Sequence, residues 1–156
     1  MEEAKTALQN RFYQEYWLLL ILLLLGVVML SVLLVGYIHK QKNMTAPLKQ
    51  LVPIACVGML VLLIILGNIF IPYAKDMSHV KNDDFLFVRG KVVGYDHATS
   101  NDVGKITYSW PIIEDVTTGE CVTLTVTHAD SRLRSGEIYT FIFLPNSRIA
   151  EVVTAK

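Results

Sequence analysis

Several groups of side chains in this chain would carry chemistry if the fold brought them together. His128, Asp130 and Ser131 stand within THADSRLRSG and supply the types of a base, an orienting carboxylate and a nucleophile. A triad is set by geometry across a fold, however, and the strained Gly-x-Ser-x-Gly elbow that presents a nucleophile is absent. A solvated loop is the simpler account. Asp96, His97 and Asp102 are metal-ligand types within one polar turn, but their spacing matches no recognised site, and turn polarity explains them. Cys121 opens a strand-like run with no second cysteine near it, which excludes a thiolate pair there. Cys56 lies within an apolar run, so a bond between the two would need a thiol at membrane depth to meet one outside it; both are read as free thiols. No Walker A or Gly-x-Gly-x-x-Gly loop is present. The chain is therefore read as a non-enzyme with no catalytic residue, no metal and no cofactor.

Binding chemistry has more support. Arg132 and Arg134 flank Leu133 and are placed to meet lipid headgroups or an acidic partner, although recognition of anionic lipid typically uses about four or more basic residues together. Tyr139, Phe141 and Phe143 alternate along one strand, and if they face outward they form an apolar stripe that a partner, the bilayer surface or the domain's own far wall must cover.

The elements that must position these residues divide into two halves. Trp17 to Tyr37 contains no charge over 21 residues, and at about 1.5 Å per residue it spans a hydrocarbon core of roughly 30 Å. Leu51 to Tyr73 is likewise uncharged over 23 residues, with Pro53 placed in its first turn, and crosses back. No small-x-small cleavage pattern follows the first run, so it is read as a retained span rather than a signal peptide. Residues 38–50 form a short polar loop, which makes the helices antiparallel neighbours, and residues 1–16 are a tail ahead of them. Phe12, Tyr13, Tyr16 and Trp17 mark one headgroup level together with Phe70 and Tyr73. Lys40, Lys42 and Lys49 give the loop a basic density that places it in the cytoplasm and the following domain outside. Asn68, one turn from the end of the second run, can bond across to a neighbouring helix or reach interfacial water. Neither run contains the buried charge that an ion pathway requires. Fourteen basic residues balance fourteen acidic ones, which removes the field that sequence-independent nucleic-acid binding needs.

Residues 83–153 read as a small all-β domain. Asp83-Asp84 precedes a run to Tyr95, and HATSNDVG follows as a loop. Ile106, Tyr108, Trp110 and Ile112 alternate with Thr107, Ser109 and Pro111 as a strand with one buried face. After the Thr118-Gly119 turn, Val122, Leu124 and Val126 alternate with threonines over Glu120 to His128. Glu137 to Leu144 is apolar on both faces and so central, and Arg148 to Val153 follows the Pro145-Asn146 turn. Gly90 and Gly94 allow a bend or bulge in the first strand. The expected fold class is a membrane α-hairpin followed by a five-stranded antiparallel, barrel-like domain of the OB or SH3 kind.

Gly90-Lys91-Val92, Tyr108-Ser109-Trp110-Pro111, Gly119, Leu133-Arg134-Ser135-Gly136 and Leu144-Pro145 follow one another in the β half. In this order they resemble a group of uncharacterised small bacterial membrane proteins with a transmembrane hairpin and an extramembrane β domain. The architecture also resembles short NfeD-like proteins, a likeness that implies a partner among stomatin-like membrane scaffolds. The chain differs from them in having two spans and no glycine-rich barrel pattern. Neither resemblance supplies catalytic residues. The function expected is a membrane-anchored, non-enzymatic β module that serves as an interaction or scaffold subunit, its partners being the bilayer and a protein or a second copy, with no nucleic acid. The alternatives are an immunity-type or regulatory membrane protein, which a toxin-like gene next to its own would favour, and a hydrolase using the His128 loop.

Overall fold

The computed structural model describes residues 1–40, 45–100, 106–126, 129 and 133–155. Two helices, α1 (Glu2–Lys40) and α2 (Ala46–Lys81), are followed by strands β1 (Leu86–Ser100), β2 (Ile106–Asp115), β3 (Cys121–Thr123), β4 (Thr125–Val126), β5 (Ile138–Phe143) and β6 (Ile149–Ala155). They form two compact units, one of residues 14–74 and one that joins residues 1–13 to residues 75–156.

The first unit is an antiparallel helical hairpin. Tyr16 of α1 stacks on Phe70 of α2 with ring centroids 5.2 Å apart, the Tyr73 hydroxyl donates to Glu15 Oε2 at 2.7 Å, and Gly26 lies against Leu63. Half-buried positions include Tyr16, Leu19, Leu23, Gly26, Leu30, Leu33 and Tyr37 on α1, and Cys56, Met59, Leu63, Leu66, Phe70 and Tyr73 on α2. Their spacing alternates between three and four residues, the period of about 3.5 that keeps one seam facing a partner helix. The other faces of both helices are leucine, isoleucine and valine left exposed, which is the surface hydrocarbon solvates. Both helices are long and apolar enough to cross a membrane. Ser31, inside the first run, returns its hydroxyl to the Val27 carbonyl at 2.8 Å. Pro53 stands inside α2 rather than in its first turn, because the helix already begins at Ala46. Residues 41–44 of the connecting loop lie outside the described residues.

Both helices outrun their apolar runs. Residues 1–16, expected as a tail, are helical from Glu2 onward, and their first thirteen belong to the sheet-containing unit. Leu8 and Phe12 are fully buried there, which supplies the reason: an amphipathic turn with an apolar face to bury stays helical when a sheet covers it. At the end of α2, Asp76 and Val80 are buried in the same unit.

The sheet has six strands in the order β3-β2-β1-β5-β6-β4. Its ladders are antiparallel except β4 on β6, which is parallel. The expectation of a five-stranded antiparallel barrel is corrected on three points: the sheet has six strands, it is mixed, and it is not a closed barrel. The extra strand arises where the expected run Glu120 to His128 breaks at Leu124. Residues 121–123 pair with β2, whereas 125–126 pair with β6, so one run serves two neighbours. Leu124 donates to the Pro111 carbonyl at 3.0 Å and Thr125 to the Arg148 carbonyl at 2.8 Å. The HATSNDVG stretch is also not all loop, since β1 continues to Ser100 and pairs with β2 as far as Ile106. As expected from its two apolar faces, β5 is central, between β1 and β6.

Gly90 is required by close approach: a Cβ there would stand 2.6 Å from the Glu114 carbonyl oxygen and against the Ile113 side chain. A bulge follows, where Val92 pairs with Ile113 and Gly94 with Ile112, leaving Val93 extra. Turn chemistry closes the β2–β3 connection. Asp115 Oδ1 accepts from the Thr117 amide at 2.6 Å, and Gly119 takes the left-handed φ of 72° that a side chain resists.

Candidate functional site

The aromatic stripe expected as a partner surface is mostly interior. Tyr139 and Phe141 are buried in a cluster with Val88, Val92, Ile113, Leu124, Val126, Ala129, Leu133 and Ala150, while Phe143 is half-buried against it. The cover the stripe needs is thus supplied by the domain itself. The Tyr139 hydroxyl donates to Glu137 Oε2 at 2.7 Å and accepts from the Arg134 amide at 3.0 Å. Burial pushes its phenol above the ordinary value, and the bond to Glu137 adds to that. Arg134 is exposed, with Nη1 3.9 Å from Glu137 Oε1, so it serves a local pair at the surface. Arg132 lies outside the described residues, as do His128, Asp130, Ser131 and Asp102. Asp96 is exposed, and of His97 only the backbone is described. Among the described residues no three His, Cys, Asp or Glu side chains gather as a metal group.

The opposite face of β5 is covered toward its end, although Ile138 at its start is exposed. Ile142 and Leu144 are fully buried although they alternate with the core residues Tyr139 and Phe141. The helix ends of this unit are tied to the sheet at several points. The Asp76 carboxylate holds the turn between β5 and β6: Oδ1 accepts from the Asn146 amide at 3.1 Å and its Nδ2 at 2.7 Å, and Oδ2 from the Ser147 amide and hydroxyl at 2.6 Å each. Arg11 Nη1 donates to the Thr125 carbonyl at 3.1 Å. Lys5 Nζ pairs with Asp83 Oδ2 at 3.1 Å, and Gln9 Nε2 donates to Asp83 Oδ1 at 2.9 Å. The sequence alone assigns Asp76 no role. A carboxylate one turn beyond the aromatic end of a span, with an Asn-Ser turn later in the chain, was the available signal.

What stays uncovered is the outward side of β1 and β2. Along β1, Val88, Gly90 and Val92 face inward, while Phe87, Arg89, Lys91 and Val93 are exposed, Phe87 by 53% and Val93 by 44%. Neither Arg89 nor Lys91 has a side-chain partner among the described residues; Lys91 stands opposite Glu114 in the ladder. On β2, Trp110 is exposed by 45%, with φ of 58°. From Trp110 onward the expected face of β2 is inverted. Pro111 and Ile113 are buried and Trp110 points out, because the bulge at Val93 and the left-handed turn at Trp110 shift the alternation by one residue. Exposed aromatic and aliphatic side chains interleaved with unpaired cations on a rigid strand are the composition of protein-binding surfaces, in which Trp, Phe and Arg are enriched. No known protein family, curated protein or solved structure matches the chain.

Proposed function

We propose that this chain is a membrane-anchored, non-enzymatic sheet module that acts as an interaction or scaffold subunit of a membrane protein complex. The supporting observation is the exposed row Phe87, Arg89, Lys91 and Val93 along β1, with Trp110 exposed on β2. The anchor is built into the module, since α1 and α2 carry both the apolar runs and the residues Phe12, Asp76 and Val80 that the sheet unit buries. The partner is a protein with an apolar and acidic surface; the hairpin's connecting end, residues 38–50, is cytoplasmic and the sheet unit extracytoplasmic, as the three lysines there favour. Cross-linking in native membranes followed by purification in mild detergent tests the proposal. The chain should be recovered together with a protein partner in a species larger than itself, and Phe87→Ser combined with Arg89→Glu should remove that partner. A monomer in both preparations overturns the proposal. Cys121 is exposed on β3, so an impermeant thiol reagent applied to intact cells should label it; labelling only after permeabilisation reverses the orientation.

A further inference from the structure

Within the two apolar runs, one polar side chain is left over. Ser31 is satisfied by its own helix, and Glu15 and Tyr73 bond to each other at the hairpin's aromatic end. Asn68 is exposed and makes no hydrogen bond among the described residues. It does not point at α1. At about 100° per residue it lies about 160° round α2 from the mean direction of Cys56, Met59, Leu63, Leu66 and Phe70, which form the seam with α1. Its neighbours on that side are Val61, Ile64, Ile65 and Ile71, all exposed. A carboxamide set among lipid-facing isoleucines holds two donors and an acceptor that hydrocarbon cannot satisfy.

Asn68 also falls in a second heptad row on α2. Ile54, Gly58, Val61, Ile65 and Asn68 repeat the three-four spacing of the first seam on the far side of the helix, and Gly58 has open space where a Cβ would be. We propose that a second copy of this chain packs against this row, with the two Asn68 carboxamides hydrogen-bonded to each other across a two-fold axis. The partner is a copy because an amide is its own complement: each donates an N–H and accepts at its oxygen, and an isologous contact places a residue near the axis opposite itself. A single Asn in an apolar heptad row fixes register and copy number, and in a membrane it supplies the interhelical bond that apolar packing alone does not. Gly58 lets the two backbones approach. The inference rests on the anchored-subunit proposal above and identifies one partner of that subunit.

The test uses the full-length chain in native membranes, with Cys56 and Cys121 replaced by serine and single cysteines placed at two adjacent positions of equal depth. Val61→Cys lies in the proposed row, and Leu60→Cys lies outside it. Mild oxidation should give a disulfide-linked dimer from Val61→Cys in at least about tenfold excess over Leu60→Cys, because only facing thiols come within bonding distance. Adding Asn68→Leu should lower the Val61→Cys dimer about fivefold, and Asn68→Gln should retain most of it. Equal yields from the two cysteines overturn the proposed row. A dimer unchanged by Asn68→Leu assigns Asn68 to interfacial water and overturns the proposed bond. Amine cross-linking of the same membranes reads the subunit proposal separately: larger species without the Val61→Cys dimer leave that proposal standing and remove this one, and a monomer by both methods removes both.

Discussion

The Asp76 carboxylate offers the sharpest test of how the helix end and the sheet are joined. Both of its oxygens are used, and two of its four donors are the backbone amides of Asn146 and Ser147, which cannot turn away. In Asp76→Ala the Asn146 and Ser147 side chains can rotate toward water, but the two amides lose their acceptor in a part-buried turn. At about 1–3 kcal/mol for each buried donor left unpaired, the loss is about 3–5 kcal/mol once the cavity is included. For a unit of this size each kcal/mol moves the midpoint by about 4–8 °C, so Asp76→Ala should melt at least about 12 °C below the parent. Asp76→Asn preserves volume but turns an amide group toward donors on one side, and should fall between the two. The assay is thermal unfolding of the full chain in detergent, followed by Trp110 emission in a Trp17→Phe background, with hydrogen exchange read at the amides of residues 146 and 147. A melting point within about 2 °C of the parent, or unchanged exchange at those amides, would refute the proposed clamp.

Other perturbations have defined outcomes. Gly90→Ala forces a methyl onto the Glu114 carbonyl, which backbone cannot yield, and should cost about 1–3 kcal/mol, read as a lower denaturant midpoint at unchanged slope. Phe12→Ala should destabilise the sheet unit by about 3–5 kcal/mol in the same melt, although the residue lies only five positions before the first apolar run, whereas Leu18→Ala on the lipid-facing side should leave that unit unchanged. Because burial holds the Tyr139 phenol above 10, the unfolded chain releases this proton first as pH rises. Stability from this group is therefore complete below pH 10 and declines as pH climbs toward the raised folded value. Tyr139→Phe should flatten that alkaline part of the stability curve, and an identical decline in both proteins would contradict the assigned burial.

The hairpin was legible because charge-free apolar runs of 21 and 23 residues match the thickness of a bilayer and exceed what a soluble core helix carries without a polar face. Its seam was not, since leucine occupies both the helix-facing and the lipid-facing positions and no polar contrast separates them. Strand positions were legible from turn residues such as Gly119 and Pro145, but strand faces were less so. On β2 the alternation named the wrong side at Trp110, which is exposed while Pro111 and Ile113 are buried, because one bulge in β1 and one left-handed residue at Trp110 disturb the count. On β5 both faces are apolar, and only tertiary structure decides that the Tyr139 and Phe141 side joins the main cluster. The division at Leu124 depends on two separate neighbours, β2 and β6, that no local pattern announces. Leu8 and Asp76 escaped notice, and Phe12 was read as a headgroup marker although it is buried, for the same reason: each gains its meaning from a residue distant in sequence.

That distance has a kinetic consequence. Gln9 bonds a residue 74 positions later and Arg11 one 114 positions later, so the first helical turns emerge from the ribosome long before anything exists to cover Leu8 and Phe12. Nucleation of the sheet must precede their docking, and the loop to be closed is already restricted by the hairpin, which lowers the entropy of bringing the distant segments together.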